Sequence, residues 1–398
     1  MRRQKSYMKH MFITKICFYL LAGWTFLSQI GMVHSEENPV LIGATVSIDG
    51  AYKEPSEMIE KAYRFWVDEI NEKGGLLGRQ VKLILYNDKS DPTTTKSLYK
   101  KLINEDRAAI VLSPYSSPLA IAASEVTEPN QKLLLAVAAA AEKPWQRNMR
   151  YLFQLYAPAK RQFIGVLDIM AKNRLKSLAL IYNNQSVFNL DIVEGIKHWA
   201  SIYKLKVVYE RSYQDGKKDL PGMLKQIKEV NPKAIINTSY PPDSYELLAL
   251  LKSMQYKPQV LSMPIVPAHP DFQLKVGDIA NGVMGPSQWE PEDRIHFPGT
   301  RKFIREFLSY SGHMPSFHAT SAYAACQLIE QAVNHTNSLD NTKLRNYIAS
   351  LDTVTVLGRF KVDPSGRQVG HNSFIIQWQA GKKEIIWPKK IQTAPPKI

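Results

Sequence analysis

The sequence predicts an α/β protein made of two doubly wound lobes, each a mostly parallel sheet covered by helices. Short apolar runs alternate with amphipathic helical segments along most of the chain, which is typical of βαβ units. The alternation pauses at 151–159 and then restarts. About 360 residues remain beyond the N-terminal segment, which is more than one sheet of ordinary width accommodates.

The first lobe is predicted from the alternation that precedes the pause. It begins with an apolar strand at 40–46 and a helix at 57–70, whose apolar residues recur at helical spacing. Gly74 and Gly75 follow the helix, as expected after a helix C-terminus. The next predicted elements are a strand at 81–86, a helix at 95–103, and strands at 108–112 and 132–137.

The second lobe is predicted from the alternation that follows the pause. Strand-like runs again lie between segments with helical periodicity. The predicted elements are helices at 161–171, 190–200, 220–229 and 244–254, and strands at 177–182, 205–210, 233–238 and 259–263.

The N-terminal segment 1–35 is predicted to be a cleaved secretory signal peptide. Five basic residues and no acid precede an apolar stretch at 16–30, and small residues at Val33 and Ser35 suit cleavage after Ser35. A retained membrane anchor is the alternative, but polar residues interrupt a stretch that is already short for a span. Cys17 lacks the small-residue context of a lipoprotein cleavage site, so no lipid anchor is expected.

Charge and cysteine content limit the possible functions. Loss of residues 1–35 lowers the formal net charge from +15 to +10, and the charges are scattered without a dense basic run, so nucleic-acid binding is not expected. Cys326 is then the only cysteine, which excludes an intramolecular disulfide or a cysteine metal site. The sequence carries no motif for nucleophilic, metal or phosphate chemistry, so we expect neither an enzyme nor a cofactor.

Two adjacent serines, Ser116 and Ser117, lie where a predicted strand becomes a helix. Pro114 and Pro118 flank them. The first N–H groups of a helix lack intrahelical partners and carry a positive partial charge. The serines therefore either cap the helix or contribute to an anion-binding site.

Six segments in order resemble the branched-chain amino acid binding family of type I periplasmic solute-binding proteins of ABC importers, and the resemblance covers nearly all of 38–390. The segments are IGATVSIDGAY, WVDEINEKGGLLGRQVKLILYNDKSDPTT, SPYSSPLA, GVMGPSQWEP, SFHATSAYAACQLIEQAV and VLGRFKVDPSGRQVGHNSFIIQW.

The resemblance implies a hinged pair of lobes joined by three crossovers, which close on one small ligand. Lobe 1 is expected to comprise 36–157 plus 287–357, and lobe 2 to comprise 158–286 plus 358–398. The implied protein is a periplasmic monomer that delivers its ligand to ABC permease subunits in the inner membrane. A module that presents the solute to a membrane receptor or kinase is the alternative.

In lobe 1 the resemblance places the ligand carboxylate at the serine junction. Ser117 matches the serine that holds it, Tyr115 and Ser116 flank that position, and Tyr52 is expected to form a wall. The next loop of the family supplies backbone groups and a threonine hydroxyl. Ala139 matches a backbone position there, whereas Ala141 replaces the threonine.

From lobe 2 the resemblance implies aromatic walls at Phe188 and Tyr240. From lobe 1 it implies a wall residue at Phe317, just before the helix at 320–333. Ile265 occupies the position of an acid that pairs with a ligand ammonium. Either another acid, such as Asp243 or Asp49, substitutes, or the ligand has no free amine. The expected ligand is thus a small carboxylate-bearing solute, either an amino acid or an organic or aromatic acid.

Trp289 and His318 are two further aromatic residues in the segments that carry the resemblance. Trp289 either gates the cleft or packs at the hinge. For His318, a surface or capping role is expected rather than a titrating one.

Overall fold

The computed structural model describes residues 38–295 and 297–398, and the predicted signal peptide at 1–35 lies outside them. Strands and helices alternate through the described chain, which confirms the predicted α/β class. The strands are β1 (Val40–Val46), β2 (Val81–Asn87), β3 (Ile110–Val111), β4 (Leu134–Ala136), β5 (Leu152–Gln154), β6 (Ser177–Asn183), β7 (Lys206–Tyr213), β8 (Ala234–Thr238), β9 (Val260–Ser262), β10 (Val283–Ser287), β11 (Asp352–Thr355), β12 (Gly358–Lys361), β13 (Phe374–Gln379) and β14 (Lys382–Trp387).

Helices cover these strands and connect most of the parallel ones. They are α1 (Lys53–Glu72), α2 (Pro92–Asn104), α3 (Ser117–Thr127), α4 (Ile164–Lys172), α5 (Val187–Ile202), α6 (Leu220–Val230), α7 (Pro241–Ser253), α8 (Phe272–Val276), α9 (Thr300–Ser311), α10 (Phe317–Thr336) and α11 (Asn341–Ser350). Within the described ranges, no helix is both long and apolar enough to cross a membrane.

The strands β1 to β5 form two small parallel sheets. In one, β1 lies between β2 and β3, and in the other β4 pairs with β5. The apolar side chains of β1 are buried, because helices pack against it. Since parallel strands end at a common edge, the loops after β1 and β3 are brought together there.

The two small sheets together are called the first sheet region. The second sheet region is one sheet of seven strands, in the order β14-β13-β10-β9-β8-β6-β7. Neighbouring strands from β10 to β7 are parallel, β13 runs antiparallel to β10, and β14 runs antiparallel to β13. The chain enters this sheet with β6, leaves it after β10 and returns with β13. It therefore passes three times between the two sheet regions, as the predicted hinge requires.

The helices follow the apolar pattern of the sequence. In α1 the residues Met58, Ala62, Phe65, Trp66 and Ile70 are all buried, as their spacing predicts. α10 packs against α1 and is buried over most of its circumference, which is why its sequence is rich in alanine.

Several boundaries differ from the sequence prediction. α7 begins at Pro241 and not at 244, because proline suits the first helical position, where an N–H has no partner. The strand predicted at 108–112 is reduced to two paired residues. The chain after Trp387 is held by hydrogen bonds between the Gln377 and Gln379 side chains and the backbone of Lys397 and Pro395.

Candidate functional site

A small enclosed cavity lies where loops from both sheet regions meet. Its volume is about 30 Å³, room for only a few atoms and far below the roughly 300–1,000 Å³ of small-molecule sites, so its walls must move apart to admit a ligand. Most lining residues follow the carboxyl ends of strands, which is where open α/β sheets bind ligands. The lining residues are Tyr115, Ser116, Ala138, Tyr156, Gln162, Phe188, Tyr240, Ile265, Pro286, Gln288, Phe317 and His318.

Aromatic rings form much of the wall. Tyr240 precedes α7, and its ring centroid lies 5.9 Å from that of Phe188 and 6.4 Å from that of Tyr115. Tyr52 lies behind this layer, with its centroid 4.6 Å from Tyr240 and 5.6 Å from Tyr115, both in edge contact. Tyr52 therefore supports two wall residues, and the predicted aromatic positions come together in one cluster.

Burial keeps the tyrosine hydroxyls of this cluster protonated. It raises the pKa of Tyr52 to about 12, and it raises the pKa values of Tyr115 and Tyr240 well above their ordinary value. A neutral phenol both donates and accepts a hydrogen bond. The wall is thus apolar over the rings and polar only at a few hydroxyl groups.

Ser116 lines the cavity and caps α3. Its Oγ accepts a hydrogen bond from the Leu119 N–H at 3.3 Å, and its backbone has φ +78° and ψ 155°, a region that glycine ordinarily occupies. Pro118 has no N–H, so the free amide in this first turn is that of Ser117. The capping role proposed for the junction is present, and the positive end of α3 lies beside the cavity.

Ser117, the predicted carboxylate contact, is not in the cavity lining, and its side chain joins the start of α3 to the loop after β4. Its Oγ accepts hydrogen bonds from the N–H groups of Ala140 at 3.2 Å and Ala141 at 3.1 Å. The Ala139 carbonyl accepts from the Gln154 side chain at 3.1 Å. In this loop Ala138 lines the cavity, whereas Ala139 and Ala141 lie behind it.

Ile265 lines the cavity from a strained turn. Its φ of +67° and ψ of −73°, with a 2.8 Å hydrogen bond from Val266 N–H to Pro264 C=O, define a tight three-residue turn. Positive φ is rare for a β-branched residue, and such outliers concentrate at ligand sites. The sequence placed Ile265 at the cavity, but its backbone geometry carries no sequence signature.

Among the described residues, no Asp, Glu, Lys or Arg lines this cavity, and His318 is its one titratable imidazole. The two acids considered as substitutes are engaged elsewhere. Asp243 forms an ion pair with Lys218 at 2.6 Å, and Asp49 accepts a hydrogen bond from the Asn87 side chain at 3.0 Å. A ligand ammonium would therefore have no anionic partner on the cavity wall.

The sequence reasoning missed several lining residues. Tyr156 follows β5, and Gln288 follows β10 and accepts a hydrogen bond from the Ala157 N–H at 3.0 Å. Gln162 is also in the lining. These residues belong to the segments that cross between sheets, where no periodic pattern marks a residue as facing a cavity.

Phe317 and His318, at the start of α10, both line the cavity. The two rings stack with a centroid distance of 4.0 Å. His318 is 1% exposed, so it is not the surface residue that the sequence suggested, and burial lowers its pKa well below its ordinary value. Trp289 is buried against Phe303 and lies outside the cavity lining, which places it in packing.

Outside the cavity, a polar cluster joins α1 to residues near the second sheet. Glu54 accepts a hydrogen bond from the Tyr245 hydroxyl at 2.8 Å and pairs with Lys275 at 2.9 Å. His269 lies 3.4 Å from the same carboxylate, but its Nδ1 accepts from the Asp271 N–H, and burial lowers its pKa to about 3. His269 is thus neutral, and the charged contact is between Glu54 and Lys275.

Comparison with known proteins identifies relatives across nearly the whole chain. Leu/Ile/Val-binding protein homolog 7 of Brucella suis biovar 1 (strain 1330) is 23% identical over 344 residues, which cover 81% of this chain and 84% of the relative.

Two solved structures share the fold. The branched-chain amino acid transporter substrate binding protein LivJ from Streptococcus pneumoniae, in complex with isoleucine, matches with a TM-score of 0.80 and 18% identity, covering 88% of this chain and 100% of that one. An ABC transporter solute binding protein from R. palustris, in complex with benzoate, matches with a TM-score of 0.75 and 17% identity, covering 88% and 96%.

The family model described as periplasmic binding protein matches residues 39–383. The relatives and structural neighbours are solute-binding proteins and not enzymes. The chain therefore belongs to the periplasmic binding protein family.

Proposed function

We propose that this protein captures a small carboxylate-bearing solute in the periplasm and delivers it to the permease of an ABC importer. Family membership supports the transport role, and the N-terminal segment 1–35 supports export. The positive end of α3 beside the cavity supports a ligand with an anionic group.

We further propose that the ligand closes two lobes around itself. Lobe 1 comprises 36–157 plus 287–357, and lobe 2 comprises 158–286 plus 358–398. The three chain passages between the sheet regions support these boundaries. Loops from both regions line the cavity, so a bound ligand contacts both lobes and favours the closed arrangement.

The carboxylate is assigned to the serine junction. The Ser117 N–H is the free amide of the first turn of α3, and Ser116 Oγ lines the cavity. The Ser117 hydroxyl accepts from two backbone N–H groups, which leaves its own proton available for donation. These donors and the helix dipole together stabilise an anion without a basic side chain.

The ligand class rests on one observation, that no acidic side chain lines the cavity. An α-amino acid would bury its ammonium beside Ile265 and aromatic rings, at a cost of several kcal/mol. An aromatic carboxylic acid instead matches the rings of Tyr115, Phe188 and Tyr240. The R. palustris protein binds benzoate, whereas the S. pneumoniae protein binds isoleucine. We therefore assign an aromatic acid without an amine.

Calorimetric titration of the purified protein with benzoate and with isoleucine tests this assignment. We expect saturable binding of benzoate and at least about 100-fold weaker binding of isoleucine, as the lost ammonium partner requires. Ser117→Ala should weaken benzoate binding, whereas Ser124→Ala should not, because Ser124 lies two turns further along α3 and its hydroxyl donates to the Ile121 carbonyl at 2.7 Å. Tighter binding of isoleucine than of benzoate would contradict the ligand class.

A further inference from the structure

Two polar atoms on the cavity wall have no hydrogen-bond partner in the described chain. They are the Tyr156 hydroxyl and the Nδ1 of His318. Tyr156 is 4% exposed and His318 is 1% exposed, so bulk water does not reach either atom. Buried polar groups are nearly always hydrogen-bonded, which makes two such atoms in one cavity evidence for a missing partner.

The two side chains come from separate elements and converge. Tyr156 follows β5, and His318 lies in the first turn of α10. Their ring centroids are 6.5 Å apart, and Phe317 contacts both rings, at 5.6 Å from Tyr156 and 4.0 Å from His318. A group that enters the cavity between the two rings therefore borders both side chains.

Both side chains are neutral at the pH of the periplasm. Burial raises the pKa of the Tyr156 hydroxyl and lowers the pKa of the His318 imidazole, in each case well away from its ordinary value. No Lys, Arg, Asp or Glu lines the cavity to balance a second charge. Because the ligand carboxylate is assigned to the serine junction and a second charge would be unbalanced, we take the partner of these two atoms to be an uncharged group.

A hydroxyl group satisfies both atoms. It accepts a hydrogen bond from the Tyr156 O–H and donates one to the unprotonated Nδ1 of His318, or forms the reverse pair when the imidazole tautomer is exchanged. A hydrogen or methyl group at that place would leave both atoms without partners.

We infer that the ligand carries a hydroxyl group, and that Tyr156 and His318 bind it and select for it. This inference rests on the proposed function, because it takes the ligand to be an aromatic carboxylic acid. Its carboxylate is assigned to the serine junction, so the hydroxyl is a ring substituent. The predicted ligand is thus a hydroxylated aromatic acid and not the unsubstituted one.

The test compares benzoate with the ortho, meta and para hydroxybenzoates by calorimetric titration. We expect one of the three isomers to bind on the order of 10- to 100-fold tighter than benzoate, since the unsubstituted ring leaves two buried groups unpaired. Equal affinity for benzoate and all three isomers would overturn the inference, and a bound water would then satisfy the pair.

Variants of Tyr156 and His318 test whether these two residues cause the preference for a hydroxylated ligand. Tyr156→Phe removes the hydroxyl alone, and His318→Phe keeps a ring to stack on Phe317. In both variants the affinity ratio between the preferred isomer and benzoate should fall towards one. Retention of the wild-type ratio in both variants would overturn the assignment of the subsite.

Tyr256→Phe is the matched control. The Tyr256 hydroxyl is also buried and without a partner in the described chain, but Tyr256 lies outside the cavity lining. This variant should keep the wild-type ratio, and thermal melting of all three variants checks that they fold. If benzoate binds but no hydroxyl improves it, only this inference fails. If no aromatic carboxylate binds, the proposed ligand class and this inference both fail.

Discussion

Ile265 is an uncharged residue on the cavity wall, and a charged side chain in its place would change which ligands the cavity accepts. Its side chain stands where related amino acid binders carry an acid, according to the resemblance, and it reaches the cavity from a strained turn. Ile265→Glu would place a carboxylate opposite a carboxylate ligand. We expect benzoate affinity to fall at least about 30-fold and isoleucine binding to appear, both measured by calorimetry.

The uncharged variant Ile265→Gln separates charge from shape. Glutamine has nearly the size of glutamate but cannot repel an anion or pair with an ammonium. It should weaken benzoate binding less than the glutamate variant and should not confer isoleucine binding. Equal effects of the two variants would show that charge at this position does not decide the ligand class.

A second residue-scale prediction concerns the buried pair of Glu290 and Lys383. The Lys383 Nζ lies 2.6 Å from the Glu290 carboxylate, which also accepts from the Ser287 hydroxyl at 2.8 Å. Lys383→Ala leaves a buried carboxylate unpaired, so the free energy of unfolding at pH 7 should fall by about 3–5 kcal/mol. Chemical denaturation measures this change, and Lys172→Ala, which removes the partner of the less buried Asp168, should cost much less.

The same variant should show a pH dependence of known sign. Burial raises the pKa of Glu290 above its ordinary value of 4.5, so the folded protein binds this proton more readily than the unfolded chain does. The contribution of Glu290 to the free energy of unfolding therefore increases as the pH falls through the interval between its folded and unfolded pKa values. Loss of Lys383 raises the folded pKa further. We expect the deficit of Lys383→Ala to be smaller at pH 5 than at pH 7, and a larger deficit at pH 5 would contradict this account.

At the scale of secondary-structure elements, α1 is connected to the second sheet region through Glu54. The Glu54 carboxylate contacts Tyr245 of α7 and Lys275 of α8, both of which belong to the proposed lobe 2. Because the contact joins the proposed lobes, it stabilises the closed state. Glu54→Gln should weaken benzoate binding about 3- to 10-fold, as loss of one partly exposed ion pair allows.

Glu57→Gln is the control on the same helix. Glu57 pairs with Lys61 one turn along α1, so its contact stays within one element. It should leave benzoate affinity unchanged in the same calorimetric titration. A similar loss in both variants would indicate a general charge effect in place of a contact between lobes.

Element-scale reasoning also shows why the sequence revealed only part of the site. Wall residues such as Tyr115 and Tyr240 were predictable because they directly follow strands, and parallel strands bring such loops to one edge. His318 was not predictable as a wall residue, because the rotation of α10 about its axis and its packing decide which residues of its first turn face the cavity. In the structure both Phe317 and His318 line it. Tyr156 reaches the cavity from a crossover segment, whose path depends on contacts between residues far apart in sequence.

At the scale of the whole molecule, the cavity is too enclosed for a ligand to enter without motion. Its lining residues are mostly buried, and the rings of Tyr52 and Tyr240, from the two proposed lobes, lie 4.6 Å apart beside it. We therefore expect ligand entry to require separation of the two proposed lobes, and a bound ligand to favour their closure.

Small-angle scattering and melting of the same samples test this motion. Saturating benzoate should reduce the radius of gyration, and at a 100-fold excess over Kd it should raise the unfolding free energy by about 2.7 kcal/mol. Glu54→Gln should start from larger dimensions than the wild type without ligand, because its lobes are held together less firmly. Identical scattering with and without ligand, at an occupancy that calorimetry shows to be full, would mean that binding does not move the lobes. A transport partner would then have no closed form to distinguish from the open one.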